Sequence, residues 1–423
     1  MQIHANEHPL TTDKDISSRA FWAQPFAERE KTFAWLRRNA PVSWHAPIEV
    51  PGLPRDVHRQ AGFWAVVRAK DITFVSENHD LFSSALGTAT VRPMDETLRQ
   101  PPTFLHMDPP EHTAYRKVMS AAFTPKAVAK LSRKIEERAR EIIDRVAGAG
   151  EFDFVAEVSC KLPMLTVADL LGVPPDLAED FARAGDEVIT IGAAPEELPP
   201  GVSYQEYAAE RMRFLFALGA ELAAHRRKHP ADDIMTSLVQ AEFDGRKLTD
   251  QDISSMMMLL SVAGNDTTKQ TTSQTVIQLD RHPDQRAWLM EDFSGRIAGA
   301  IEEFVRHASP VIAFARTAGT DLELDGVPIQ AGDKVVIFYA SGNRDETVFE
   351  NPERFDLARG RSPHVGFGGG GVHYCLGNGV AKAQLRALFQ EILTKLPNLE
   401  VGEPEYLPSE FINGVRRLPV RVS

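Results

Sequence analysis

Phe367-Gly368-Gly369-Gly370-Gly371-Val372-His373-Tyr374-Cys375-Leu376-Gly377 decides the reading of this chain. A run of glycines leads into a cysteine, and a helix-like segment, Asn378 to Leu396, begins just past it. A thiolate needs positive potential and amide donors to stay deprotonated. A glycine-rich turn lets backbone N–H groups approach the sulfur, and the following helix N-terminus adds its dipole. A cysteine so placed reads as a metal-ligating thiolate, the kind that serves as an axial haem ligand. Taken alone, a cysteine after a flexible loop would read as buried and structural.

The bulk composition narrows the class. A chain of 423 residues is long enough for a large buried core. The net charge of −12 argues against general nucleic-acid binding. Two cysteines, Cys160 and Cys375, make no disulfide framework, which fits a reducing cytoplasm. Cys160 sits in an apolar helical pattern and reads as core. Met1 to Ser18 is polar, with no signal peptide or anchor, and reads as a flexible N-terminus. The most apolar run, Met256 to Ala263, is too short to span a bilayer.

Helical periodicity dominates. It covers Pro125 to Val146, Phe154 to Leu171, Tyr204 to His229, Asp250 to Asp280 and Arg296 to His307. Trp44 and Gly62 to Val67 read as short strands with a Pro- and His-containing loop, Pro47 to Arg59, between them. Leu322 to Ile337 alternates around Asp325-Gly326, a hairpin turn. Asp108-Pro109-Pro110-Glu111-His112, followed by Arg116-Lys117, marks a helix start. His112 and Arg116 on that helix are four residues apart and point the same way.

Three further motifs carry chemical information. Ala263-Gly264-Asn265-Asp266-Thr267-Thr268 lies inside the apolar helix, although Gly and Thr are poor choices for a helix centre. A buried acid and hydroxyl are costly without partners. Thr side chains and water can open the backbone ladder into a groove there. The competing reading is a surface Asp/Thr pair on an amphipathic helix. Glu303-Phe304-Val305-Arg306 is an acid/base pair on one helix face, which alone means only a weak surface bridge. Phe314-Ala315-Arg316-Thr317-Ala318 places an arginine in an apolar strand-like segment.

From about Ala20 to about Pro419 these motifs, in this order, resemble the cytochrome P-450 haem-thiolate monooxygenases. That family's loop is written Phe-x-x-Gly-x-x-x-Cys-x-Gly, and this chain has one residue more between Phe367 and Cys375. The longer loop is similar to that of soluble bacterial enzymes that hydroxylate sterol side chains and methyl-branched lipids. So are Pro47 to Arg59, Val158 to Pro163 and Pro230 to Ile234. The resemblance implies one mainly α domain over 1–423 with minor β, a helical triangular prism with small sheets.

It also implies heme b with the Cys375 thiolate as axial ligand. His112, Arg116, Arg316 and His364 would hold the propionates; Phe367, His373 and Gly377 would contact the cofactor from the loop. Taken singly, each of these polar residues reads better as solvated surface. Thr267 would hydrogen-bond the oxygen being activated, and Asp266 would feed protons in, although the subgroup often has Glu at that place. Glu303 would sit between Arg306 and Arg354 of Pro352-Glu353-Arg354-Phe355 as a buried structural network. Leu86, Val188, Leu260, Ala263, Val311, Phe314, Phe411 and Ile412 would wall an apolar pocket, or equally be plain core.

Electrons would come from a ferredoxin and ferredoxin reductase. Lys117, Lys126, Arg359, Lys382 and Arg386 would dock an acidic partner, unless they are ordinary solvated charge. The implied reaction inserts one oxygen atom of O2 into a C–H bond of an apolar substrate. A sterol side chain or branched aliphatic lipid, hydroxylated terminally, is favoured. A terpenoid hydroxylase and a peroxide-driven peroxygenase are the alternatives.

Overall fold

The computed structural model describes residues 6–49, 61–90, 103–190, 198–243, 245–360 and 362–422. Of the expected insertion, Pro47 to Arg59, the part from residue 50 onward lies outside them. Among the described residues no helix is long and apolar enough to cross a membrane.

Nine helices frame the site: α1 (Ala69–Glu77), α2 (Glu111–Ser120), α3 (Pro125–Val146), α4 (Lys161–Leu171), α5 (Ala178–Thr190), α6 (Tyr204–Lys228), α7 (Asp250–Arg281), α8 (Phe293–Ala308) and α9 (Asn378–Lys395). Their ends follow local chemistry. Thr124 caps α3 with Pro125 in the first turn. Capping boxes, Ser203 with Glu206 and Thr249 with Asp252, start α6 and α7. On α3, Ile135, Ala139, Ile142, Ile143 and Val146 form one buried stripe. That stripe shares a core with Leu385, Leu388, Phe389 and Ile392 of α9. The helical signal from Phe154 to Leu171 resolves into a π-turn, Val155–Ser159, followed by α4.

The β-rich part is a five-stranded sheet of β1 (Val42–His45), β2 (Phe63–Val66), β3 (Phe82–Ser83), β4 (Ala313–Ala318) and β5 (Lys334–Phe338), in the order β1-β2-β5-β4-β3. β5 runs parallel to β2 and antiparallel to β4. The Asp325-Gly326 turn joins Leu322–Leu324 to Val327–Ile329, with both turn residues at positive φ. β5 is a separate strand beyond that hairpin. The N-terminal segment is not loose from residue 6 on. Asn6 and His8 both bond the Asp333 carboxylate, and Ile16 is fully buried.

The Glu303 network forms, but with a different third member. Glu303 and Arg306 on α8 are fully buried. Arg306 spends all five N–H donors: two on the Glu303 carboxylate and three on the carbonyls of Asn343, Pro352 and Arg354. The second cation on Glu303 is Arg359, whose Nε lies 3.2 Å from Oε2. Arg354 contributes only its carbonyl, and its side chain is 62% exposed. The chain turns back at Asp356, whose N–H also donates to Glu303, and this brings Arg359 inward while Arg354 faces water.

Removing one partner of such a pair strands a buried charge. Glu303→Gln should therefore destabilise the protein by ~3–5 kcal/mol in denaturant titration. Arg354→Ala should change stability by less than ~0.5 kcal/mol. The reverse ranking would return Arg354 to the network.

Candidate functional site

Cys375 lies where the glycine loop meets α9. Its N–H donates to Phe367 O at 2.9 Å, closing the loop. Burial pushes the Cys375 thiol up, while the amides of Gly377 and Asn378 and the charges of Arg116 and Lys382 pull it back. The amide donors therefore come from the start of α9, not from the glycine run. The glycines serve packing. Gly368, Gly370 and Gly371 have φ of 101°, 101° and 70°, and a Cβ on Gly371 would stand 2.1 Å from Ser76 O at the end of α1. A metal cation bound at the sulfur would hold the thiol deprotonated.

Beside the sulfur, polar groups converge from three elements. Arg116 of α2 donates to Tyr374 O and raises the positive potential at Cys375. His112, one turn earlier, packs against His373 with ring centroids 4.4 Å apart and the rings tilted by 56°. Arg316 of β4 is buried and close enough to His373 to disfavour its protonation. Both ring nitrogens of His112 and Nε2 of His373 are buried without a partner. Buried polar atoms in native proteins rarely stay unpaired. Donors and cations converging on orphan imidazoles suit an acidic group from a ligand. No side chain fills the space beside Gly377, where an added Cβ would meet nothing within 4 Å. Together these residues fit haem propionates next to a thiolate. His364 does not join them. Its Nε2 bonds Glu302 at 2.9 Å and its Nδ1 accepts from Gly366 N, so both ring nitrogens are spoken for.

On α7, the expected opening of the backbone ladder is absent: the helix is continuous from Asp250 to Arg281. Hydroxyls bond back along it instead, Thr267 Oγ1 to Ala263 O at 3.1 Å and Thr271 Oγ1 to Thr267 O at 2.9 Å. Gly264 is needed for close packing, since a Cβ there would lie 2.5 Å from Val167 of α4. Ala263 is exposed and Leu260 and Thr267 are half-buried, so this face of a core helix borders open space.

Asp266 is buried and faces away from water. Its Oδ1 takes Lys269 Nζ at 2.7 Å and Gln270 Nε2 at 3.1 Å, and its Oδ2 has no partner. Lys269, also buried, bridges Asp266 to the partly exposed Asp186 on α5. Gln270 Oε1 accepts from Val415 N at 2.7 Å, tying the acid to the C-terminal segment. Sequence reasoning missed Asp186, Lys269 and Gln270. A lysine three residues after Asp266 in an apolar helix was the available signal.

Four expected pocket residues come together. Val311 bridges Ile412, Ile312 N donates to Phe411 O, and the Phe314 and Phe411 rings meet edge to face at 5.4 Å. Val188 and Leu260 both pack against the apolar cluster of α4 to α7. Leu86 is half-buried on the loop after β3 and belongs to none of the apolar clusters. Two expected docking residues are committed elsewhere: Arg359 to Glu303 and Lys382 to Glu302. Lys117, Lys126 and Arg386 are exposed, as is Tyr374 beside the cysteine.

The Cytochrome P450 family pattern matches residues 205–405. A methyl-branched lipid omega-hydroxylase of Mycobacterium tuberculosis is 36% identical over 412 residues, covering 96% of this chain and 94% of that protein. A steroid C26-monooxygenase of the same organism is 38% identical over 416 residues, covering 96% and 92%. A solved structure of a Mycobacterium marinum cytochrome P450 in complex with pseudoionone superposes with a TM-score of 0.94 at 44% identity, covering 99% of this chain and all of that one.

Burial and the Arg116 charge hold His112 down at about 4, against a pull upward from Asp108. Its unfolded value is ~6.5. The unfolded state therefore binds more protons between these values, and the associated stability is full above ~6.5 and lost as pH falls toward about 4. A bound carboxylate would raise the folded value and remove this loss. Thermal midpoints at neutral and mildly acid pH should fall more for the haem-free than for the haem-loaded protein. His112→Gln should flatten the haem-free dependence; an unchanged slope would take His112 out of the anion site.

Proposed function

Since this chain belongs to the cytochrome P450 family and is one of its monooxygenases, we propose that it hydroxylates the methyl-branched end of an apolar aliphatic chain. The balance is R–H + O2 + two electrons + two protons giving R–OH + H2O. The observation that carries the substrate reading is shared chemistry among relatives. One is named for omega-hydroxylation of methyl-branched lipid, one for steroid C26, and one binds pseudoionone. All three molecules end in a branched methyl terminus. The apolar walls of Val311, Phe314, Phe411 and Ile412 suit such an end.

Haem, when bound, supplies the dioxygen chemistry. The Cys375 thiolate would ligate its iron, held by the amides of Gly377 and Asn378 at the start of α9. His112, Arg116, Arg316 and His373 would anchor its propionates, with Phe367 and Gly377 flanking the thiolate. Asp266, its Oδ1 occupied by Lys269 and Gln270, would offer Oδ2 as the atom through which a proton moves. Thr267 would pass it on through its hydroxyl, released from Ala263 O. Asp186 and Lys269 would link that acid to solvent.

Electrons would arrive from a ferredoxin fed by its reductase. Tyr374, Lys117, Lys126 and Arg386 offer an aromatic anchor among basic side chains, which suits an acidic carrier.

Optical titration of the ferric protein tests the substrate. A low-to-high spin shift is expected with cholest-4-en-3-one, a methyl-branched fatty acid or pseudoionone, and not with unbranched chains of equal length. Equal response to the unbranched chains would sink the branched-end reading. Cys375→Ser should lose the thiolate-type ferrous–CO band. Asp266→Asn should slow turnover on the order of 10²-fold. Thr267→Ala should divert electrons to peroxide, and unchanged coupling would remove Thr267 from the relay.

A further inference from the structure

Glu302 sits beside Glu303 on α8 but faces another way. Its Oε1 lies 2.7 Å from Lys382 Nζ and its Oε2 lies 2.9 Å from His364 Nε2. Lys382 stands on the second turn of α9, the helix whose first amides face the cysteine sulfur. Its ammonium lies 5.0 Å from the centroid of the Phe367 ring, a cation–π contact. The same Phe367 accepts the Cys375 N–H at its carbonyl. His364 leads into this loop, and its ring is 5.8 Å from that of Phe367. Gly366 N donates to His364 Nδ1, so the neutral ring carries its proton on Nε2, aimed at Glu302. One carboxylate thus fastens both sides of the cysteine loop to α8. The bond from His364 first, and then Lys382, hold the Glu302 carboxyl down at about 2 although burial raises it.

We propose that Glu302 is a positioning residue for the cysteine ligand: it fixes the Lys382 charge against Phe367 and offsets most of that charge's effect on the reduction potential of the thiolate-bound iron. The inference rests on the haem-thiolate reading. Lys382 places positive charge beside the sulfur, favouring the added electron, while Glu302 offsets most of that charge. Two charges that nearly cancel in place leave a large effect when either is removed.

Potentiometric titration of the haem-loaded protein tests this. Glu302→Gln should raise the reduction potential and Lys382→Met should lower it, each by roughly threefold to tenfold in the ferric–ferrous equilibrium. The double variant should return close to the parent, and Lys382→Arg should keep the parent value. The ferrous–CO spectrum of each variant serves as control for ligation. Shifts in the same direction, or none while the thiolate-type band persists, would overturn the proposal and leave a mechanical clamp. If Glu302→Gln does not fold, the downward shift of Lys382→Met and its rescue by arginine decide the matter alone. A parent protein without the thiolate-type band would instead remove the haem-thiolate reading itself.

Discussion

A fully buried carboxylate and guanidinium can share an apolar core only if each lone pair and each N–H finds a partner. Glu303 and Arg306 meet that condition through three carbonyls, one amide and Arg359. The requirement shapes everything around them. It bends the chain between Asn343 and Arg359 back over α8. Asn343 then receives Val365 N on its side-chain oxygen at 2.7 Å, which delivers the chain to the cysteine loop. The loop's position is therefore inherited from the satisfaction of a buried ion pair more than 60 residues earlier in the sequence.

The Glu303–Arg306 pair and the site differ in how completely they satisfy their polar groups. Arg306 has no donor to spare. The His112 ring nitrogens, His373 Nε2 and Asp266 Oδ2 are buried and unpaired. Native cores do not carry such orphans without cause. The imidazoles face the cysteine side, where an acidic ligand group would complete them. The carboxylate oxygen belongs to α7, whose Leu260–Ala263–Thr267 face borders open space. In the proposed reading the orphan imidazoles would anchor a cofactor while the acid on α7 would handle protons.

Much of this was legible along the chain. The bounds of α3 and α6, the Asp325-Gly326 turn and the helix start after Asp108-Pro109-Pro110 follow from capping, proline and glycine chemistry that acts within a few residues. The pairing of His112 with Arg116 on one face follows from helical geometry alone. The glycines before Cys375 were legible as necessary, though for another reason than the one that holds. A positive φ and a missing Cβ identify a tight place, while the neighbour that makes it tight is Ser76, nearly 300 residues away.

What local rules could not settle were choices among equivalent residues facing different parts of the core. Arg354 and Arg359 are both arginines in the same strap, and only the turn at Asp356 puts one on Glu303 and the other in water. Glu302 reads like any solvent-facing acid until α9 and the loop before Cys375 bring Lys382 and His364 to its two oxygens. The Asp186–Lys269–Asp266 bridge likewise exists only because α5 packs across α7. Short-range chemistry in the sequence is enough to specify helices, turns and the character of a ligand-bearing loop. Partner choice between charges depends on which surfaces burial forces together, and that is a property of the packed chain.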